Sequence, residues 1–234
     1  MRQFLKSENL FRGLRLALVA TFASAVYLAY EYLAVRHDFV HKQLGGQAIT
    51  PQFALDVAGV FVALFISATA GFAWARGPRL VGFGTWRRVR RDLPLIIGIG
   101  AALALLTLFV LDEALYKPLL ARQRNPFQPP FIALFEETIC RWGIFAIAYR
   151  LSRRIWVSVA LSALFNVMLA VSAMDRLIVD SQLQVEAWRF AAIVGVKVVL
   201  AVGFAVFYVR KGLLSTMALR FVAALPAPIL AALG

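Results

Sequence analysis

PFIALFEETICRWGIFAIAY, residues 130–149, is apolar enough to lie in hydrocarbon and yet holds Glu136, Glu137 and Arg141. About 20 residues at 1.5 Å rise cover ~30 Å, so its length fits one membrane crossing. The rest of the chain supports that reading. Of 234 residues 62% are hydrophobic, and the mean hydropathy is +0.77, more than one soluble core of this size needs. The chain therefore reads as an all-α, polytopic transmembrane helical bundle with seven spans, at 14–35, 52–75, 93–111, 130–149, 155–174, 188–209 and 213–233. Strands do not fit, because an open sheet edge is left unsatisfied in lipid and the ten-residue alternation of a barrel is missing. Residues 1–234 form a single transmembrane domain with no linker, low-complexity tract or repeat. The first run is too long for a signal-peptide core and lacks a clear cleavage site, so it is expected to stay attached.

The net charge of +13 sits mainly in short segments between apolar runs, where it orients a membrane protein and makes no nucleic-acid surface. With the N-terminus inside, fifteen cations fall on the inner side, in groups such as Arg87, Arg88, Arg90 and Arg91. Seven fall outside: Arg36, Lys42, Lys117, Arg122, Arg124, Arg176 and Arg189. The positive-inside rule thus predicts a cytoplasmic N-terminus and an outer C-terminus. The expected location is a bacterial or archaeal plasma membrane. The basic stretch from Arg76 to Arg91 determines topology on this reading and is also suited to anionic headgroups. The single cysteine, Cys140, allows no internal disulfide. Tryptophans 74, 86, 142, 156 and 188 fall near span ends or one turn inside, as interfacial anchors do.

Arg141, Lys197 and Arg220 lie inside predicted spans, as do Glu136 and Glu137. A charge at a helix centre costs roughly 2.5–3.5 kcal/mol on insertion scales, so these five must pair or reach water. In an α-helix Glu137 and Arg141 are four apart, about 40° around the axis, and form an ion pair on one face. Glu136 points about 100° away, towards a different neighbour, with Arg220 and Lys197 the candidates. Asn166 and Ser162, four apart on the fifth span, are placed to bond across helices or to line the glutamate pocket.

The run FEETICRWGIFAIAYR, residues 135–150, following NPFQPP at 125–130, resembles the EExxxR motif of the CPBP family of intramembrane proteases, the CAAX-prenyl-protease and bacteriocin-self-immunity group. GFGTWRRVRRDLPLIIG, residues 82–98, resembles that family too, and the likeness covers roughly residues 76–225. The resemblance implies that Glu136 is the base that activates water for attack on a peptide bond, with Glu137 and Arg141 shaping the site. It also implies two further motifs, FxxxH and HxxxN or HxxxD, whose histidines bind metal or polarise the substrate. Both are broken here. In LSALFNVMLA Phe165 is present, but Leu169 stands at the histidine position. In GLLSTMALRFVAAL the histidine position falls at Arg220 or Phe221, and Ala224 or Leu225 follows in place of asparagine.

A catalytic zinc needs about three protein ligands, usually with imidazole among them. The only histidines, His37 and His41, lie four apart in the first outer loop, read as interfacial or solvated, with the alternative that one reaches Glu136. No metal or other cofactor is therefore expected. Arg220 in place of a metal ligand points to an ion network, Glu136 with Arg220, that holds helices together. The expected function is that of a catalytically degenerate binding, scaffold or immunity protein whose partners are the lipid bilayer and a membrane peptide or membrane protein. A working glutamate-dependent endopeptidase is the alternative, and a transporter lined by the buried charges is a further one.

Overall fold

The computed structural model describes residues 4–30, 49–75, 80–106, 125–181 and 186–226. His37, His41, Arg36, Lys42, Lys117, Arg122, Arg124 and the span ends 31–35, 107–111 and 227–233 lie outside them. Among the described residues all regular structure is helical. In chain order the elements are α1 (Ser7–Tyr30), α2 (Ile49–Trp74), α3 (Trp86–Leu106), the short α4 (Gln128–Phe131), a π-helix (Ile132–Ile144), α5 (Phe145–Ser152), α6 (Ile155–Ser181), α7 (Ala187–Lys211) and α8 (Leu213–Ala224). Among the described residues four stretches are long and apolar enough to cross a membrane: Ser7–Tyr30, Pro51–Trp74, Ile155–Ser172 and Phe190–Lys211. The fold is accordingly that of a helical membrane protein.

The π-helix is the axis of the bundle. It packs against α1, α2, α6 and α8, and every residue from Glu137 to Gly143 is buried. From Glu137 to Gly143 this rod is covered on all sides, so its polar side chains there must find partners within the bundle. Its winding departs from the α-geometry that the sequence predicts. The Phe145 N–H donates to Cys140 O, five residues back. Such windings are rare and concentrate at functional positions.

Small residues bring the rods together. A Cβ on Gly143 would meet Ser67 Cβ at 2.5 Å, and one on Gly71 would collide with the Trp142 indole. Close backbone approach at small residues is how helices associate where lipid removes the hydrophobic drive. Trp142 is 2% exposed and sits edge-on to Phe72, Phe83 and Tyr208, so it is a core residue and not the interfacial anchor expected of it. Trp86, Trp156 and Trp188 are exposed.

The basic stretch before the third span is not all loop. Thr85 caps α3, its Oγ1 and carbonyl both accepting from Arg88 N–H, so Arg87, Arg88, Arg90 and Arg91 ride on the first turns of the helix. Next to it, Gly212 joins α7 to α8 with φ +88°, a conformation that favours glycine. A Cβ there would also meet Val81 Cγ1 at 2.8 Å. The turn lets Leu213 and Leu214 donate their N–H groups to Gly82 O and Phe83 O, both at 3.0 Å, which satisfies donors at the start of α8. Lys211 Nζ donates to the buried Asp92 Oδ1 at 3.0 Å and fastens the same corner.

Candidate functional site

The π-helix carries Glu136, Glu137 and Arg141, α6 carries Asn166, and α8 carries Arg220. Arg220 Nη2 lies 2.7 Å from Glu136 Oε2, the length of a charge-assisted hydrogen bond. Asn166 Nδ2 donates to the same Oε2 at 3.2 Å, and Asn166 Oδ1 accepts from Arg141 Nη2 at 3.3 Å. One amide thus ties the Glu136–Arg220 pair to Arg141. Arg141 Nη2 also donates to the carbonyl of Ala201 on α7 at 3.4 Å. The network therefore joins the π-helix, α6, α7 and α8.

Glu137 and Arg141 are both fully buried, with Oε1 and Nη1 at 3.5 Å. At that length the contact is coulombic and makes no hydrogen bond, and among the described residues neither Glu137 oxygen has a hydrogen-bond partner. Phe204 on α7 is near both arginines, its ring centre 4.7 Å from Arg220 Cζ and 5.9 Å from Arg141 Cζ. The ring supplies a weak attraction for both guanidiniums.

Of the residues singled out in the sequence, the structure brings together Glu136, Glu137, Arg141, Asn166 and Arg220. Lys197 is half-buried on α7, and the contacts of Glu136 and Glu137 described above run to other residues. Ser162 turns to the backbone, donating to Cys140 O at 2.8 Å, and Cys140 Sγ accepts weakly from Asn166 Nδ2 at 3.7 Å. Phe204 and the Ala201 carbonyl escape a reading of the sequence, since neither an aromatic nor a backbone oxygen stands out in an apolar run. Asp92 escapes it too, although one acid directly after Arg90 and Arg91 is a usable signal for a local clamp.

The donor set does not suit the divalent cation that the motif resemblance implies. The groups that meet Glu136 Oε2 are a guanidinium and an amide N–H, both hydrogen-bond donors, which repel or cannot ligate a cation. No group of three or more potential metal ligands comes together among the described residues. Chemically, the arrangement is suited to neutralising two submerged acids and fixing four helices.

Comparison with protein-family models, with curated proteins and with solved structures finds no match for this chain.

Proposed function

We propose that this chain crosses the membrane about seven times, with its N-terminus in the cytoplasm, and serves as a catalytically degenerate member of the CPBP type that binds or shields a membrane peptide or membrane protein. Seven helical rods among the described residues support the number of crossings, if α4, the π-helix and α5 are taken as one. The excess of cations at one set of span ends supports the orientation. The observation that carries the functional reading is the 2.7 Å contact between Glu136 and Arg220. An acid whose Oε2 already accepts from Arg220 and Asn166 is engaged as structural glue. The missing histidines point the same way.

A second reading, an intramembrane endopeptidase with Glu136 as general base and Glu137 and Arg141 in support, draws on one feature. The Glu136 side chain is 20% exposed, and among the described residues its Oε1 takes no hydrogen bond. A general base needs one lone pair within reach of water.

One experiment separates the two. The purified protein is incubated with a library of membrane-embedded peptides, beside Glu136→Gln and beside a chelator-treated sample. No cleavage above background is expected in any arm. Cleavage that Glu136→Gln abolishes would establish the peptidase and overturn the scaffold.

A further inference from the structure

A cavity of about 300 Å³ opens at the basic end of the bundle, away from Glu136 and Arg220. It is lined by Arg12 near the start of α1, Phe72 near the end of α2, Leu80, Gly82 and Phe83 in the segment before α3, and Trp142 of the π-helix. Its volume is at the lower end of the range for ligand pockets. One side is a guanidinium and the other is aromatic. Trp142 is 2% exposed and is held in place by Phe72 and Phe83, which line the cavity with it.

We propose that this cavity holds the phosphate headgroup and glycerol region of an anionic phospholipid taken from the surrounding bilayer. Three observations select that occupant. Arg12 pairs with Glu8 at 2.7 Å, but the two side chains are 51% and 65% exposed, and such surface pairs contribute little, so a phosphate can take the guanidinium over. The same end of the bundle carries Arg88, Arg210 and Lys211, a positive field that concentrates anionic lipid. Val19, two turns beyond Arg12 on the same face of α1, is exposed and offers an acyl chain an apolar surface next to a headgroup that sits at Arg12. A phosphate is the chemistry a guanidinium recognises with two parallel hydrogen bonds, and the aromatic wall suits the less polar atoms next to it. The inference rests on the chain's lying in a bilayer and is independent of what Glu136 does.

The test uses the full chain in detergent, titrated with dioctanoyl phosphatidylglycerol, dioctanoyl phosphatidylcholine or inorganic phosphate, with retained lipid counted by native mass spectrometry. Phosphatidylglycerol is expected to be retained over phosphatidylcholine, and inorganic phosphate is expected not to displace it. Arg12→Gln should weaken retention about tenfold, the effect of losing one charged hydrogen-bonding group. Arg15→Gln, in which the lost guanidinium lies over the Phe11 ring and not at the cavity, should leave it unchanged. Equal retention of both lipids, or equal loss in the two variants, overturns the proposal. Displacement by inorganic phosphate would assign the site to a free anion and overturn the lipid as occupant. Unfolding of Arg12→Gln in phosphatidylcholine alone checks that the variant is folded, and since Arg12 is an exposed side chain its melting should match the parent.

Discussion

Arg220 and Glu136, 84 positions apart in the chain, meet at 2.7 Å where α8 packs against the π-helix. Each neutralises a charge that neither helix could carry alone in hydrocarbon. Removing one partner strands the other, which is worse than removing both.

Arg220→Leu is therefore expected to lower stability in detergent by about 2–4 kcal/mol. Glu136→Gln added to it should restore part of the loss, giving a coupling of about 1 kcal/mol or more in a double-mutant cycle. Chemical unfolding of the four proteins measures this. Strictly additive effects would show that the two side chains do not depend on each other.

Asn166 is the bridge between the two ion pairs, donating to Glu136 and accepting from Arg141. Asn166→Leu keeps the volume roughly constant and removes both bonds, so its cost should be that of buried groups left unsatisfied, about 2 kcal/mol. The same substitution in a Glu136→Gln background should cost less, because one of the two partners has already lost its charge. Unfolding midpoints of the single and double variants provide the comparison.

Close approach at glycine gives a third expectation. Gly143→Ala would drive a methyl into Ser67, whose Cβ stands 2.5 Å from the position it must occupy, and should destabilise by about 1–3 kcal/mol. Gly59→Ala, with nothing within 4 Å, should be neutral or raise stability by up to about 1 kcal/mol through helix propensity. Thermal unfolding of the pair distinguishes tight packing from a general dislike of alanine.

At the opposite corner, Asp92→Asn removes the charge that holds Lys211 at 3.0 Å. The loss, about 1–2 kcal/mol, should loosen the junction locally and speed hydrogen exchange of the Leu213 and Leu214 amides roughly five- to thirtyfold. Those amides donate to Gly82 O and Phe83 O, so they report directly on that corner. Unchanged exchange would mean that the backbone bonds alone hold it.

The helices were the legible part of this chain. Apolar runs at 52–75, 155–174 and 188–209 fall on α2, α6 and α7, because length and hydropathy are local properties that lipid rewards directly. The first run was drawn from residue 14, but α1 starts at Ser7, since polar residues in a helix's opening turns leave no hydropathy signal. For the same reason the third span, read as 93–111, leaves out Arg87–Arg91, which belong to the first turns of α3. The winding from Ile132 to Ile144 was illegible for a different reason. An α-turn and a π-turn present nearly the same residue spacing, and their difference depends on how α1, α2, α6 and α8 pack around the rod. The choice of Arg220 over Lys197 beside Glu136 is likewise a matter of helix rotation and neighbour order, which one sequence does not encode locally. Trp142 misled because an indole near a span end and an indole in a core look alike until the glycine opposite it, Gly71, is known.

The π-helix also bears on how the central rod fits its surroundings. From Gln128 to Ser152 the backbone is helical without a break. As a pure α-helix that stretch would run roughly 38 Å, longer than a hydrocarbon core of about 30 Å, and would have to lean to stay covered. A coil of larger radius climbs less with each residue. The wide middle section therefore shortens the rod, so it can stand more upright than its residue count implies, with its acids held at a depth set by winding and not by slant.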